Sequence, residues 1–206
     1  MRAGRGERRQ RILAEASRCF AARGFSGTTT RELAAGAGVT EAALYRYFPS
    51  KEALYSALID EKIEASQPLA TLEKVAGSGE RALLEHVARS LLRSADADPH
   101  LLRILLYTAL EGHALADSFM QKRVYALRGF LGEYFERRMR EGAFRALDPQ
   151  LAARGFLGMI VHYLISRDVF GQRELRDGAD ELTQVFTSIF LDGIRTRDAE
   201  ASDDCR

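Results

Sequence analysis

Between Thr28 and Leu54 the chain reads TTTRELAAGAGVTEAALYRYFPSKEAL, and no other stretch limits the possible folds so sharply. Helix starts and helix stops alternate there at close intervals. Thr29 followed three residues later by Glu32 has the spacing of a capping box, in which each side chain bonds the other residue's amide. Leu33, Ala34 and Ala37 supply a short apolar stripe, and Gly38 stands where a helix ends. Thr40 can cap a second short helix, whose Leu44 and Phe48 fall at i, i+4 and point inward behind Val39. Pro49 stops it. Ser50 opens a longer helix with Glu52 in its first turn, where a carboxylate favours the helix dipole, and Leu54, Tyr55, Leu58, Ile59 and Ile63 carry its apolar side. Helices as short as the first two do not persist alone in water, so each must pack on a neighbour.

That neighbour lies upstream. From about Glu7 to Arg23 the spacing predicts a helix with Ile12, Ala16, Cys19 and Phe20 on one face and Leu13 at its margin. Gly24 suits its C-terminal end, and Phe25 can fold back on the last turn. The stretch from Arg8 to Leu58 therefore reads as a helix-turn-helix that leaves one short helix on the surface. That helix presents Thr40, Glu41, Ala42, Ala43, Tyr45, Arg46 and Tyr47. Small residues near its start let the backbone sit deep in a DNA groove. Arg46 can pair with guanine or phosphate, Glu41 can accept from a cytosine amine, and tyrosine hydroxyls donate to phosphate. Lys51 stands where its ammonium and a helix N-terminus share one phosphate. The plain alternative is that Tyr45 and Tyr47 merely cover core edges.

Charge agrees with a nucleic-acid partner only in its distribution. The net charge is +1, yet residues 1–60 hold ten Lys+Arg against six Asp+Glu, and the remainder is net acidic. The basic excess thus falls on the helix-turn-helix, as contact with phosphates requires. An arm of Arg2, Arg5, Arg8 and Arg9 can add sequence-independent contacts.

Downstream, i, i+3, i+4 spacing recurs and nothing alternates as a strand would. The expected fold is all-α, with about nine helical segments: an N-terminal helix-turn-helix domain joined by helix four to a C-terminal bundle. Pro68 and Gly77–Ser78–Gly79 mark a break. Five segments should follow, near 80–95, 99–112, 116–141, 149–170 and 178–197. Asp98-Pro99 and Asp148-Pro149 each offer a cap followed by proline at the first helical position, and Gly142 should end the third of the five. The border is placed within helix four, giving residues 1–58, 59–197 and a polar tail, 198–206.

Several chemistries find no support. Cys19 and Cys205 lie far apart and read as free thiols, which fits a cytoplasmic protein. The N-terminus lacks the apolar stretch of a signal peptide. The longest near-apolar run, Gly155 to Ile165, includes His162 and is too short to span a bilayer. No Cys/His cluster has metal-ligand spacing, and no phosphate loop or nucleophile elbow occurs. No cofactor, metal, catalytic residue or membrane partner is expected.

With those residues in view, positions 8–58 resemble the N-terminal domain of the TetR/AcrR family of transcriptional regulators. The likeness rests on AxxxFAxxGF (Ala16–Phe25), TTTRELA (Thr28–Ala34), AGVT (Ala37–Thr40), LYRYF (Leu44–Phe48) and SKEAL (Ser50–Leu54), about a quarter of the chain. It implies that Thr30 and Lys51 contact phosphate and that Arg31, Thr40, Glu41, Ala42, Tyr45 and Tyr47 lie at or near the groove. Thr28, Thr29 and Arg46 complete the expected DNA-contacting set. Many relatives carry glycine or a basic residue near Glu41 or Ala42, so Glu41 is read as a specificity or rim residue. The resemblance also implies a C-terminal domain that binds a small molecule and a homodimer built by the last two long helices.

Two wide apolar stripes suit such a dimer: Phe156, Ile160 and Leu164 on one segment, Leu182, Val185, Phe186, Ile189 and Phe190 on the other. Gly155 and Gly158 would let a partner helix approach closely, as in a four-helix interface across a two-fold axis. The alternative is packing within the chain. Candidate pocket residues are His86, Arg89, Tyr107, His113, Phe119, Tyr125, Met159, His162 and Tyr163, an apolar and aromatic set with few charges. The expected function is a dimeric repressor that binds palindromic double-stranded operator DNA and is released by a small hydrophobic or aromatic effector. An activator, or an effector-independent DNA-binding protein of the same fold, is the alternative. A helical enzyme and a protein-binding adaptor are remoter, since no pair of residues has a spacing that compels acid–base work.

Overall fold

The structure is a computed structural model that describes residues 4–65, 69–112, 120–172 and 178–196. Every regular element among them is helical: α1 (Arg5–Arg23), α2 (Thr30–Gly36), α3 (Glu41–Tyr47), α4 (Lys51–Ala65), α5 (Leu69–Ala76), α6 (Glu80–Ala97), α7 (Leu101–Leu110), α8 (Ala126–Arg140), α9 (Pro149–Asp168) and α10 (Ala179–Ile194). A π-helical stretch, Met120–Tyr125, leads into α8. The all-α expectation holds. The helices sort into two compact units, one of α1 to α4 with α7, the other of α5, α6 and α8 to α10.

Sequence signals explain most boundaries. Ser50 Oγ accepts from the Ala53 amide at the head of α4. Asp148 accepts from the amides of Gln150 and Leu151, with Pro149 opening α9. Gly142, at φ +78°, closes α8. Its amide reaches the Met139 carbonyl and the next amide, of Ala143, reaches Arg138, the paired bonds of a Schellman turn. Three expectations need correction. α5 occupies a stretch read as a break, because Pro68 and the glycines that flank it outweighed the short stripe of Leu69, Leu72 and Val75. α7 starts at Leu101, two residues late, because Asp98 spends its carboxylate on the His100 amide and on Lys62. Of the helix expected over 116–141, residues 116–119 lie outside the described residues, Met120–Tyr125 are π-helical and the α-helix runs from Ala126.

In the first unit, α1 packs on α2, α4 and α7, and α2 on α3. Phe20 is the hub. Its ring meets Tyr55 edge-on at 4.7 Å and stacks with Phe25 at 6.0 Å. Ile12, Leu33, Leu44 and Leu54 are fully buried around it, each such side chain contributing about 1.5–3 kcal/mol against exposure. In the second unit α9 packs on α8 and α6, and α10 on α6. Phe190 bridges Phe135 at 5.3 Å and Phe156 at 5.1 Å. Glu80, at the start of α6, pairs with Arg138 at 3.2 Å and Arg195 at 3.4 Å, fastening α6 to α8 and to the chain leaving α10.

Candidate nucleic-acid interface

The two short helices form as their caps dictate. Thr29 Oγ1 accepts from the Glu32 amide at 3.3 Å, and Glu32 Oε2 accepts from the Thr29 amide at 3.0 Å. That amide holds the Glu32 carboxyl below the usual carboxylate range, helped by the Thr29 hydroxyl. α2 ends in a second Schellman turn: Gly38, at φ +65°, bonds Ala35 O, and the Val39 amide bonds Ala34 O at 2.9 Å. Thr40 Oγ1 then accepts from the Ala43 amide at 3.1 Å and opens α3. Leu44 and Phe48 are buried, so α3 has one face committed to the core and the other left outward.

On the outward face Thr40, Glu41, Ala42, Tyr45 and Arg46 are exposed and Tyr47 is half-buried. Arg31 is exposed on α2. A short polar chain joins the two helices: the Tyr45 hydroxyl donates to Thr30 Oγ1 at 3.4 Å, and the Thr30 hydroxyl donates to Glu41 Oε1 at 3.1 Å. The acidic Glu41 is therefore held by Thr30 rather than left loose. A carboxylate fixed at the head of α3 can accept from a base amine and disfavours a phosphate.

Thr28 sits otherwise than the sequence suggested, and Lys51 is partly engaged within the chain. Thr28 is 1 % exposed, and its hydroxyl donates to Gly24 O at 2.8 Å with Cys19 O at 3.4 Å. It ties the α1–α2 turn together from beneath and offers no surface to DNA. Lys51 is half-buried. Its ammonium donates to the carbonyls of Phe25 and Thr28, each at 3.0 Å, and lies 4.1 Å from the Phe25 ring centre. Two of the three donors of an ammonium are thus spent on the turn. Cys19 is buried, which pushes its thiol pKa up.

The described candidate pocket residues divide between the two units. Tyr107 belongs to the first unit and donates to Ala22 O at 3.3 Å. In the second unit Arg89 pairs with Asp180 at 2.9 Å. Tyr125 is exposed beneath Arg128. Tyr163 is buried edge-on to Phe186, while its neighbour His162 is exposed and His86 is half-buried. His113 and Phe119 lie outside the described residues. Met159 lines an open hollow of about 270 Å³ with Arg145, Leu147, Ile189, Phe190 and Gly193.

The candidate dimer residues divide. Phe156, Ile160, Leu164 and Leu182 are core of their own unit, because α9 and α10 turn those sides toward α6 and α8. Phe186 and Phe190 are half-buried. Val185 (47 % exposed) and Ile189 (58 %) face outward, as do Leu151 and Val161. Gly155 and Gly158 have open space where a side chain would stand. Among the described residues no helix is long and apolar enough to cross a membrane, and no three His, Cys, Asp or Glu are placed to hold a metal.

Sequence reasoning missed the contribution of α7 to the first unit. Arg103 and Glu111 bond the end of α1 and the turn after it from more than eighty residues away, as does Tyr107, noted only for a pocket. A single sequence carries no periodic or capping signal for such long-range bonds.

Comparison with known proteins agrees with this geometry. Residues 12–58 match the model of the tetR family of bacterial regulatory proteins, and residues 81–190 that of the AefR-like transcriptional repressor C-terminal domain. The nucleoid occlusion factor SlmA of Vibrio vulnificus is 36 % identical over 164 residues, 76 % of this chain and 81 % of that one. The ketosteroid transcriptional regulator KstR2 of Mycobacterium tuberculosis superposes with a TM-score of 0.72 at 23 % identity, covering 92 % of this chain and 96 % of that one. AibR, in complex with isovaleryl coenzyme A and operator DNA, does so with a TM-score of 0.69 at 24 % identity, covering 89 % and 97 %. Structural likeness at these identities speaks for the fold, and the two family matches with the SlmA likeness for descent. The chain belongs to the TetR family of bacterial transcriptional regulators, DNA-binding proteins rather than enzymes, with a helix-turn-helix in its N-terminal part.

Proposed function

We propose that the protein is a cytoplasmic repressor that binds palindromic operator DNA as a homodimer and lets go when a small apolar or aromatic effector enters its second unit. One observation carries the DNA half of this reading: α3 is capped, short, buried on one side only, and outwardly small at Ala42. In this role α3 enters the major groove. Tyr45 and Arg46 reach base edges or phosphate, with Thr40 at the helix head and Tyr47 at its margin. Glu41, preset by Thr30, takes a cytosine amine, while Arg31, Thr29 and Thr30 face the backbone. Lys51 gives its remaining donor to a phosphate. The outward apolar residues of α9 and α10, with Gly155 and Gly158 among them, support a two-fold helical interface. It would set two α3 helices about 34–36 Å apart. AibR was solved with both a coenzyme A thioester and operator DNA, which supports an effector for this chain too. An effector changes occupancy only through different affinities for the DNA-bound and free states.

The test is selection of duplexes from a random library by the full-length protein, followed by mapping of its chromosomal sites. A palindrome of two half-sites, occupied at few places including the flank of the protein's own gene, is expected. Failure to enrich any sequence contradicts the reading. The likeness to nucleoid occlusion factors favours a second reading, a chromosome-scale DNA-binding role. It predicts the same palindrome at many scattered sites.

A further inference from the structure

Three side chains in register along α7 and its C-cap residue, Glu111, reach back to the far end of α1 and the turn beyond it. Arg103 Nε donates to Ala21 O at 3.1 Å, and the Tyr107 hydroxyl donates to Ala22 O at 3.3 Å. The Glu111 carboxylate accepts from two consecutive amides, Phe25 at 3.0 Å and Ser26 at 3.1 Å, one on each oxygen. The residues stand at i, i+4 and i+8, one stripe of a helix. The neighbouring stripe is anchored as well: Thr108 bonds Tyr55 of α4 and donates to Ile104 O at 2.6 Å. The gripped turn has no slack. Gly24 sits at φ +72°, and a Cβ on it would stand 2.5 Å from Glu111 Oε1 and 2.9 Å from Tyr107 Cδ1. From its other side the turn is held by Lys51 and by the Thr28 hydroxyl. The next residue, Thr29, caps α2, so the direction of α2 and α3 is set where this turn ends.

We propose that Glu111, with Tyr107 and Arg103, forms a positioning set for α3: α7 holds the α1–α2 turn and thereby fixes the tilt at which α3 meets DNA. The proposal rests on the reading of α3 as the groove helix.

The test compares full-length wild type with Glu111→Ala, Glu111→Gln and Tyr107→Phe. The readouts are affinity for the selected palindrome and for a random duplex, thermal midpoint, and amide exchange at Phe25 and Ser26 without DNA. Two charge-assisted bonds are at stake, so Glu111→Ala should lower the palindrome-to-random affinity ratio about tenfold or more, well below its melting temperature. Binding to the random duplex should stay within about twofold, since it depends on phosphate charge. Glu111→Gln keeps one acceptor and should lose less, and Tyr107→Phe, which removes one oxygen, should fall between it and wild type. A wild-type ratio in Glu111→Ala, with the Phe25 and Ser26 amides exchanging faster, overturns the proposal. So does an equal fall in both affinities that tracks the folded fraction. If wild type enriches no duplex, the groove-helix reading itself fails, and the ratio test is then void while the exchange data stand apart from it.

Discussion

Thr28, Thr29 and Thr30 are adjacent, identical in type and placed in three different environments. Thr28 is buried and bonds the turn, Thr29 caps α2, and Thr30 holds Glu41. The cap was legible, because its spacing to Glu32 is fixed by helix geometry. The burial of Thr28 was not, since it depends on where Gly24 and Cys19 carry their carbonyls. Glu32 gives the cap a pH dependence. Its carboxyl is held below the usual range by the Thr29 amide, so the stabilisation is complete above that range and is lost as the pH falls through the lowered value. Amide exchange at Thr29 should therefore quicken in wild type as the pH falls through the lowered Glu32 value and be fast at every pH in Glu32→Ala. An exchange rate at Thr29 independent of pH, after correction for intrinsic exchange, would contradict the capping role. Thr29→Ala should lower stability by about 0.5–2 kcal/mol, read by urea titration.

At the scale of elements, α2 and α3 were readable because caps and glycines bracket each within a few residues. α5 was obscured by the breakers flanking it, and the late start of α7 by an aspartate that bonds Lys62 and the His100 amide. The place of α7 beside α1 was beyond any local signal. Gly24 joins the two kinds of information: its ending of α1 was foreseen, its crowding by Glu111 and Tyr107 was not. Gly24→Ala meets both a positive φ and occupied space, and should cost about 1–3 kcal/mol or more in chemical unfolding. The outward side of α3 makes an opposite prediction. Ala42 is exposed, so Ala42→Leu should leave the thermal midpoint within about a degree, as surface substitutions do. It should nevertheless abolish palindrome binding, because the helix can no longer sit deep in the groove. Unchanged binding by Ala42→Leu would mean that α3 does not enter DNA there.

Over the whole molecule, the all-α fold followed from period and caps, whereas the uses of the second unit did not. The apolar stripes of α9 and α10 were recognised, yet a stripe wide enough to serve two neighbours does not reveal which residues face which. Phe156 and Ile160 went inward, Val185 and Ile189 outward. Ile189→Asp combined with Val185→Asp should convert a dimer into a folded monomer in sedimentation, since burying an unpaired carboxylate at an apolar interface is prohibitive. A variant that stays dimeric would remove α10 from the interface. Loss of the dimer should also cost DNA affinity, because each α3 then reads only a half-site. The central claim is that two outward α3 helices read one duplex face together, and guanine N7 protection by the full-length protein on its selected palindrome tests it most directly. Two protected major-groove patches centred about 10–10.5 base pairs apart are expected, both lost in Ala42→Leu; no N7 protection on the bound palindrome, or patches that persist in that variant, would contradict the account.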